Sequence, residues 1–145
     1  QALKDMIMYA NENGVLFVAS AGNSGEDSDV EAHYPSGYDV PNVISVAALN
    51  NRGQLPEWSN FGKKTVHLAA PGESIVSLVV SGFEYWSGTS MATPFVSGVA
   101  ALSLAVNPQL TALELKAKIL SSVKKINGLQ NKVMTGGIVD AFGAL

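Results

Sequence analysis

Apolar residues recur at helical spacing near the start of the chain, at Leu3, Ile7 and Ala10 with Met6 beside them, and Asn13-Gly14 closes the run with residue types that end helices. A first helix stopping near Gly14 is expected. Directly after it, residues 15–19 (Val-Leu-Phe-Val-Ala) form a continuous β-prone run, the pattern of a strand buried on both faces of a parallel sheet. Residues 43–48 repeat that pattern, and residues 66–69 do so more weakly before the Pro71-Gly72 turn. Residues 90–106 are apolar or small on every side, as a core helix requires, with Pro94 expected in its first turn. Thr111 followed three residues later by Glu114 is a capping-box signature opening an amphipathic helix through about Ser121. A short last helix is expected after Val139, with Asp140 near its start, where negative charge is favourable. Helices alternating with buried strands predict an α/β fold with a mainly parallel sheet.

Composition narrows the function classes. With 145 residues and 47% hydrophobic content, the chain builds one compact domain or part of one. A net charge of -3, with no basic cluster beyond Lys63-Lys64 and Lys124-Lys125, argues against a nucleic-acid partner. The longest apolar stretch, residues 95–106, is interrupted by Ser97, Gly98 and Ser103 and falls short of the ~18 residues that suggest a membrane span. The absence of cysteine removes disulfides, thiolate metal sites and a Cys nucleophile together, and leaves the redox compartment open. The opening Gln1-Ala2-Leu3-Lys4 reads as the start of an excised piece, with something N-terminal to it.

The candidate chemistry lies in two loops. Gly22-Asn23-Ser24-Gly25 follows the first strand, where open α/β sheets bind ligands. Gly88-Thr89-Ser90-Met91-Ala92-Thr93-Pro94 sets a serine between small residues at the start of an apolar helix. Unpaired N–H groups and the positive end of the helix dipole there stabilise charge on an attacked carbonyl oxygen. A helix-capping role is the plain alternative for Ser90 taken alone.

Residues 87–94 (Ser-Gly-Thr-Ser-Met-Ala-Thr-Pro) resemble the nucleophile signature of the subtilisin-like serine proteases, and the resemblance extends over nearly the whole chain. Gly14-Val15 through Ala21-Gly22-Asn23, then Tyr34-Pro35, residues 58–62, Ala70-Pro71-Gly72 and residues 136–141 are similar to that family's segments, in its order. The resemblance implies the C-terminal part of a three-layer subtilisin-like fold, spanning residues 1–145 as a partial peptidase domain. It implies peptide-bond hydrolysis through an acyl-enzyme on Ser90, with the Asn23 amide and the Ser90 N–H as oxyanion hole. It implies a substrate cleft lined by Ser20, Ala21, Gly22, His33, Gly88 and Thr89. It also implies polypeptide substrates, export from the cytoplasm, a cis Tyr34-Pro35 bond, and calcium as the one cofactor to look for, since family members often bind it.

A serine nucleophile needs an oriented base, and the family's order is Asp, His, Ser. Its Asp and His signatures do not occur in residues 1–145, so the resemblance implies a missing N-terminal half, and this chain alone is expected to be inactive. An unpaired sheet edge near residues 15–19 follows as a second expectation. His33 and His67 lack the triad context, and His67 is expected on an exposed strand side. Phe95 stands where many family members have a non-triad His. His33 precedes Tyr34-Pro35 and would shorten the pocket for the residue before the scissile bond, accepting acidic residues when protonated; a solvated loop histidine is the alternative. Glu26, Asp27, Asp29 and Glu31 invite a calcium reading but lack EF-hand spacing, and a solvated acidic loop is expected instead. An α/β-hydrolase would need a His after Ser90, and none follows. A nucleotide-binding module would need a Gly-x-Gly-x-x-Gly that is absent. A non-catalytic fragment or pseudoenzyme acting as an interaction module remains the alternative in function.

Overall fold

The computed structural model describes all 145 residues. In chain order they form α1 (Ala2–Glu12), β1 (Phe17–Ser20), β2 (Val43–Leu49), β3 (Leu68–Pro71), β4 (Ile75–Val79), β5 (Gly82–Trp86), α2 (Thr89–Val106), α3 (Ala112–Ser121), β6 (Lys124–Lys125), a 3-10 turn (Asn127–Leu129) and β7 (Gly137–Ile138). Five strands make one sheet in the order β1-β2-β3-β7-β6, parallel except where β6 meets β7, and β4 and β5 form a separate hairpin.

β2 is the centre, and all seven of its residues are buried. Because successive strand side chains point to opposite faces, Ile44, Val46 and Ala48 join Ala92, Val96, Val99, Leu115 and Ile119 beneath α2 and α3. Ala47 and Leu49 face the other way, against Leu129 and Val133, and Val43 meets Ile7 of α1. The result is a three-layer α/β structure with a mainly parallel sheet. Lys116 on α3 donates to the carbonyls of Pro41 and Val43, and Asn42 donates to those of Ile7 and Val15, tying the layers to the entry of β2.

Several details differ from the sequence pattern. β1 begins at Phe17 and buries only Ala19 fully, because it pairs with β2 alone and stands at the sheet edge. That is the unpaired edge expected here. α2 is long and apolar enough by composition to cross a bilayer, but it is neither a span in this packing nor the enclosed core helix its composition predicts. Its inner face lies on the sheet, while Phe95, Leu102 and Val106 are exposed, because no element of this chain covers the outer side. Pro94 falls in the second turn, not the first, so Ser90 C=O loses its i+4 N–H partner. The capping box forms as expected: Thr111 Oγ1 accepts from Glu114 N–H at 3.3 Å while the Glu114 carboxylate accepts from Thr111 N–H at 2.9 Å. No helix follows Val139; a turn closes the chain, with Asp140 Oδ1 accepting from the N–H groups of Phe142 and Gly143.

Gly72 marks where the sheet meets the serine loop. A Cβ there would sit 2.6 Å from Ala48 Cβ and 2.9 Å from Gly88 O, so neither wall has room to yield. Gly72→Ala should lower unfolding stability by about 1–3 kcal/mol through overpacking, read as a shift of the urea midpoint at constant slope.

Candidate active site

The carboxyl ends of β1 and β3 deliver the two candidate loops to the same place. β1 runs into Ala21-Gly22-Asn23, and after β3 the Gly88 N–H donates to Gly72 O at 2.8 Å, which seats the start of α2 beside the sheet end. Thr89 then joins the loops, its backbone N–H and its hydroxyl both donating to Asn23 Oδ1 at 2.9 Å. The Thr89 hydroxyl in turn accepts from Gly22 N–H at 3.2 Å. With Oδ1 held by two donors, the amide nitrogen of Asn23 is the end directed away, and it lies 3.6 Å from where a Cβ on Gly88 would be. Ser90 is exposed in the first turn of α2, where its N–H has no intrahelical partner. Asn23 and Ser90 share a cleft of about 460 Å³ with Tyr85, Trp86, Ser87, Gly88 and Met91. A larger cleft of about 880 Å³ lies elsewhere, between residues 52–61 and 125–132.

The other sequence candidates fall in three groups. Gly22 is buried at φ +111°, and a Cβ on it would come within 3.0 Å of the His33 ring, so His33 packs directly on the loop that carries Asn23 and is not a free loop side chain. Ser20 is the half-buried last residue of β1. Ala21 and Thr89 are fully buried and present no side-chain surface to the cleft, so any contribution they make passes through the residues they hold.

His67 is not on an exposed strand side. It enters β3 from the opposite end of the sheet, half-buried, and its Nδ1 accepts from Ser45 N–H at 3.0 Å. Desolvation, and after it the positive charge of Lys116, push its pKa down to about 4. The length of β3, roughly 13 Å for four residues, separates it from the loop that carries Ser90. Neither histidine hydrogen-bonds to Ser90. The Tyr34-Pro35 peptide is cis, as the resemblance implied.

In the acidic stretch, Asp29 receives hydrogen bonds from the Lys64 and Thr65 N–H groups and the Thr65 hydroxyl. Partial desolvation pushes its pKa up, but the bond from Thr65 and those from the two backbone amides outweigh this and hold it below the ordinary carboxylate value. Asp27 Oδ1 accepts from Asp29 N–H. Two of the four carboxylates therefore order the loop, and no three His, Asp or Glu side chains of this chain converge as cation ligands.

Sequence reasoning did not find Asn60. Its fully buried side chain donates to Ala21 O at 3.1 Å and accepts from the N–H groups of Ser24 at 2.8 Å and Glu26 at 3.1 Å, bracketing Asn23 on both sides. The segment around it carried part of the resemblance, but its partners lie 34 to 39 residues upstream, beyond any local pattern.

Fold and cleft together define the class, an α/β fold of the subtilisin type with serine and asparagine loops meeting at the carboxyl edge of a parallel sheet. The subtilase family profile matches residues 1–143. The chain is 38% identical over 152 aligned residues to the extracellular basic protease of Dichelobacter nodosus, covering 97% of this chain and 24% of that protein. It is 31% identical over 140 residues to subtilisin-like protease 2 of Plasmodium falciparum, covering 93% of this chain and 10% of that one. The solved structure of the prenylagaramide maturation protease PagA superposes with a TM-score of 0.84 at 30% identity, covering 98% of this chain and 53% of PagA. The chain belongs to the subtilase family of serine proteases. It spans about half the length of that structural neighbour and a quarter or less of those two relatives.

Proposed function

We propose that residues 1–145 are the part of a serine endopeptidase domain that carries the nucleophile and the oxyanion hole, and that a further segment supplies the triad Asp and His. The observation that carries this is the double hydrogen bond from Thr89 to Asn23 Oδ1, which turns the Asn23 amide donor toward the cleft where Ser90 is exposed. In this reading the Ser90 hydroxyl, deprotonated by the supplied His, attacks the carbonyl carbon of a polypeptide substrate. The tetrahedral oxyanion accepts from Asn23 Nδ2 and Ser90 N–H, donors fixed before the charge develops. Its collapse expels the amine, which takes the proton from the His, and water then releases the acyl group from Ser90. Asn60 and Thr89 act as positioning residues. Ser20, Ala21, Gly22 and Gly88 shape the cleft, and His33, packed on Gly22, disfavours very large apolar residues before the scissile bond and accepts acidic ones when protonated.

The exposed outer face of α2 and the open edge of β1 support a covering segment, and this chain alone is without useful turnover. An extracellular site of action rests on relatives such as the extracellular basic protease. Calcium binding is general among subtilases; in the acidic stretch of this chain no three carboxylates come together as ligands for it.

A fluorophosphonate probe tests the reading. Labelling of the intact peptidase at Ser90, lost in Ser90→Ala, with none on this chain alone, is the expected result. Labelling of this chain alone would show that a base is already present, and labelling of neither would favour a non-catalytic interaction module.

A further inference from the structure

The β4–β5 hairpin puts apolar side chains where a soluble surface ordinarily keeps polar ones. The antiparallel register sets Val76 opposite Tyr85 and Leu78 opposite Phe83. With a side-chain period of two, these four residues share one face of the hairpin, and they are 51%, 74%, 73% and 74% exposed respectively. The opposite face carries Ile75, Ser77, Glu84 and Trp86, with Trp86 Nε1 donating to Glu84 Oε2 at 2.8 Å. Hydrogen bonds from the Ser74 and Gly88 N–H groups anchor only the base of the hairpin, and both of its outer strand edges lack main-chain partners. The apolar face runs into the cleft of Ser90, because Tyr85 lines that cleft together with Asn23.

We propose that this hairpin is a docking surface for the polypeptide substrate itself, binding an extended segment beyond the scissile bond with apolar side chains at alternate positions. The inference rests on the proposed peptidase reading. Three observations select this occupant. The surface is continuous with the cleft at Tyr85, so a chain leaving Ser90 on the side away from Gly22 and His33 meets it next. An open strand edge beside an apolar face recognises an extended peptide by main-chain pairing plus alternate side-chain contacts. Five-residue strands span ~16 Å, which accommodates about five substrate residues. Residues 73–88 contain Glu73 and Glu84 and no Lys or Arg, which disfavours an anionic lipid surface as the occupant.

The test uses the intact peptidase carrying Ser90→Ala and an eight-residue peptide with Val and Leu at alternate positions, titrated calorimetrically. The expected result is measurable binding, weakened at least tenfold both by Leu78→Ser with Phe83→Ser and by moving the apolar residues of the peptide into one block. Both substituted side chains are exposed, so near-ultraviolet circular dichroism should be unchanged, and Leu3→Ser with Tyr9→Ser, on the exposed side of α1, should leave binding intact. No binding, or equal binding by the hairpin variant, overturns the proposal. So does vesicle binding or self-association that the hairpin variant abolishes, since lipid or a second copy would then be the occupant. A lower melting temperature of the intact peptidase in that variant overturns it too, because another part of the domain would then cover the face. Fluorophosphonate labelling of the intact variant is a separate readout: its failure in both variant and parent removes the peptidase reading without altering the binding result.

Discussion

In the intact peptidase, Asn23→Ala is expected to lower kcat by on the order of 10²–10³ while KM changes by no more than a few-fold. The magnitude is the one known for the subtilisin asparagine, a relative, and is carried over on the matching motif. The split between kcat and KM follows from the geometry here. Thr89 holds the Asn23 side chain; in the proposed mechanism its amide donor meets full charge only when the carbonyl oxygen becomes an oxyanion, so its loss falls on the transition state. Asn23→Asp is the sharper variant: the carboxylate still accepts from the Thr89 N–H and hydroxyl, yet it offers no donor and adds like charge, so its effect should be at least as large. Thr89→Val keeps the side-chain shape but removes one donor to Asn23 and the acceptor for Gly22 N–H. It should cost about 1–3 kcal/mol of stability from the unpaired buried amide and lower kcat, because only the Thr89 N–H is left to orient Asn23. Steady-state kinetics on a peptide amide check all three; a KM increase at constant kcat for Asn23→Ala would remove the oxyanion assignment.

The second large effect is acid lability seated at His67. Its folded pKa of about 4 lies below the ordinary 6.5, so the unfolded chain binds the proton first as the pH falls. Above 6.5 the ring is neutral in both states and this group contributes nothing to the pH dependence. Between 6.5 and about 4 the unfolded state is increasingly favoured, and below 4 this contribution levels off. At about 1.36 kcal/mol per pH interval of one, the full loss is about 3 kcal/mol. The structural reason is double: protonated Nδ1 cannot accept from Ser45 N–H, and the new charge sits near Lys116, with Lys64 and Asp39 also around that cleft. Lys116 is itself pushed below its usual pKa by burial, which Asp39 only partly offsets. Urea titrations at pH 7, 5.5 and 4 should show the slope, and His67→Asn, which keeps an acceptor near the Nδ1 position, should flatten it. An unchanged slope in that variant would assign the acid loss to other groups.

The sequence by itself determined what depends on near neighbours along the chain. The buried-strand pattern of residues 43–48 marks β2, the Thr111–Glu114 box opens α3, and the small residues around Ser90 carry the family resemblance at the turn into α2. Period and capping are local physics, so these elements were legible without coordinates. What the tertiary structure decided was every property set by distant partners. The residues of β1 read by themselves as a strand buried on both faces, and its edge position was expected only through the family resemblance, because burial depends on which strands flank it. α2 reads as enclosed but leaves one side open, because composition cannot say what covers a helix. The hairpin face of Val76, Leu78, Phe83 and Tyr85 could be seen only once the strands were in register. Asn60 and Thr89 reach Asn23 and its loop from 34 to 67 residues away, and His67 loses proton affinity to burial and to the charge of Lys116, far along the chain on α3. Hydrogen bonds and desolvation act through space, and their partners exist only after the chain has folded.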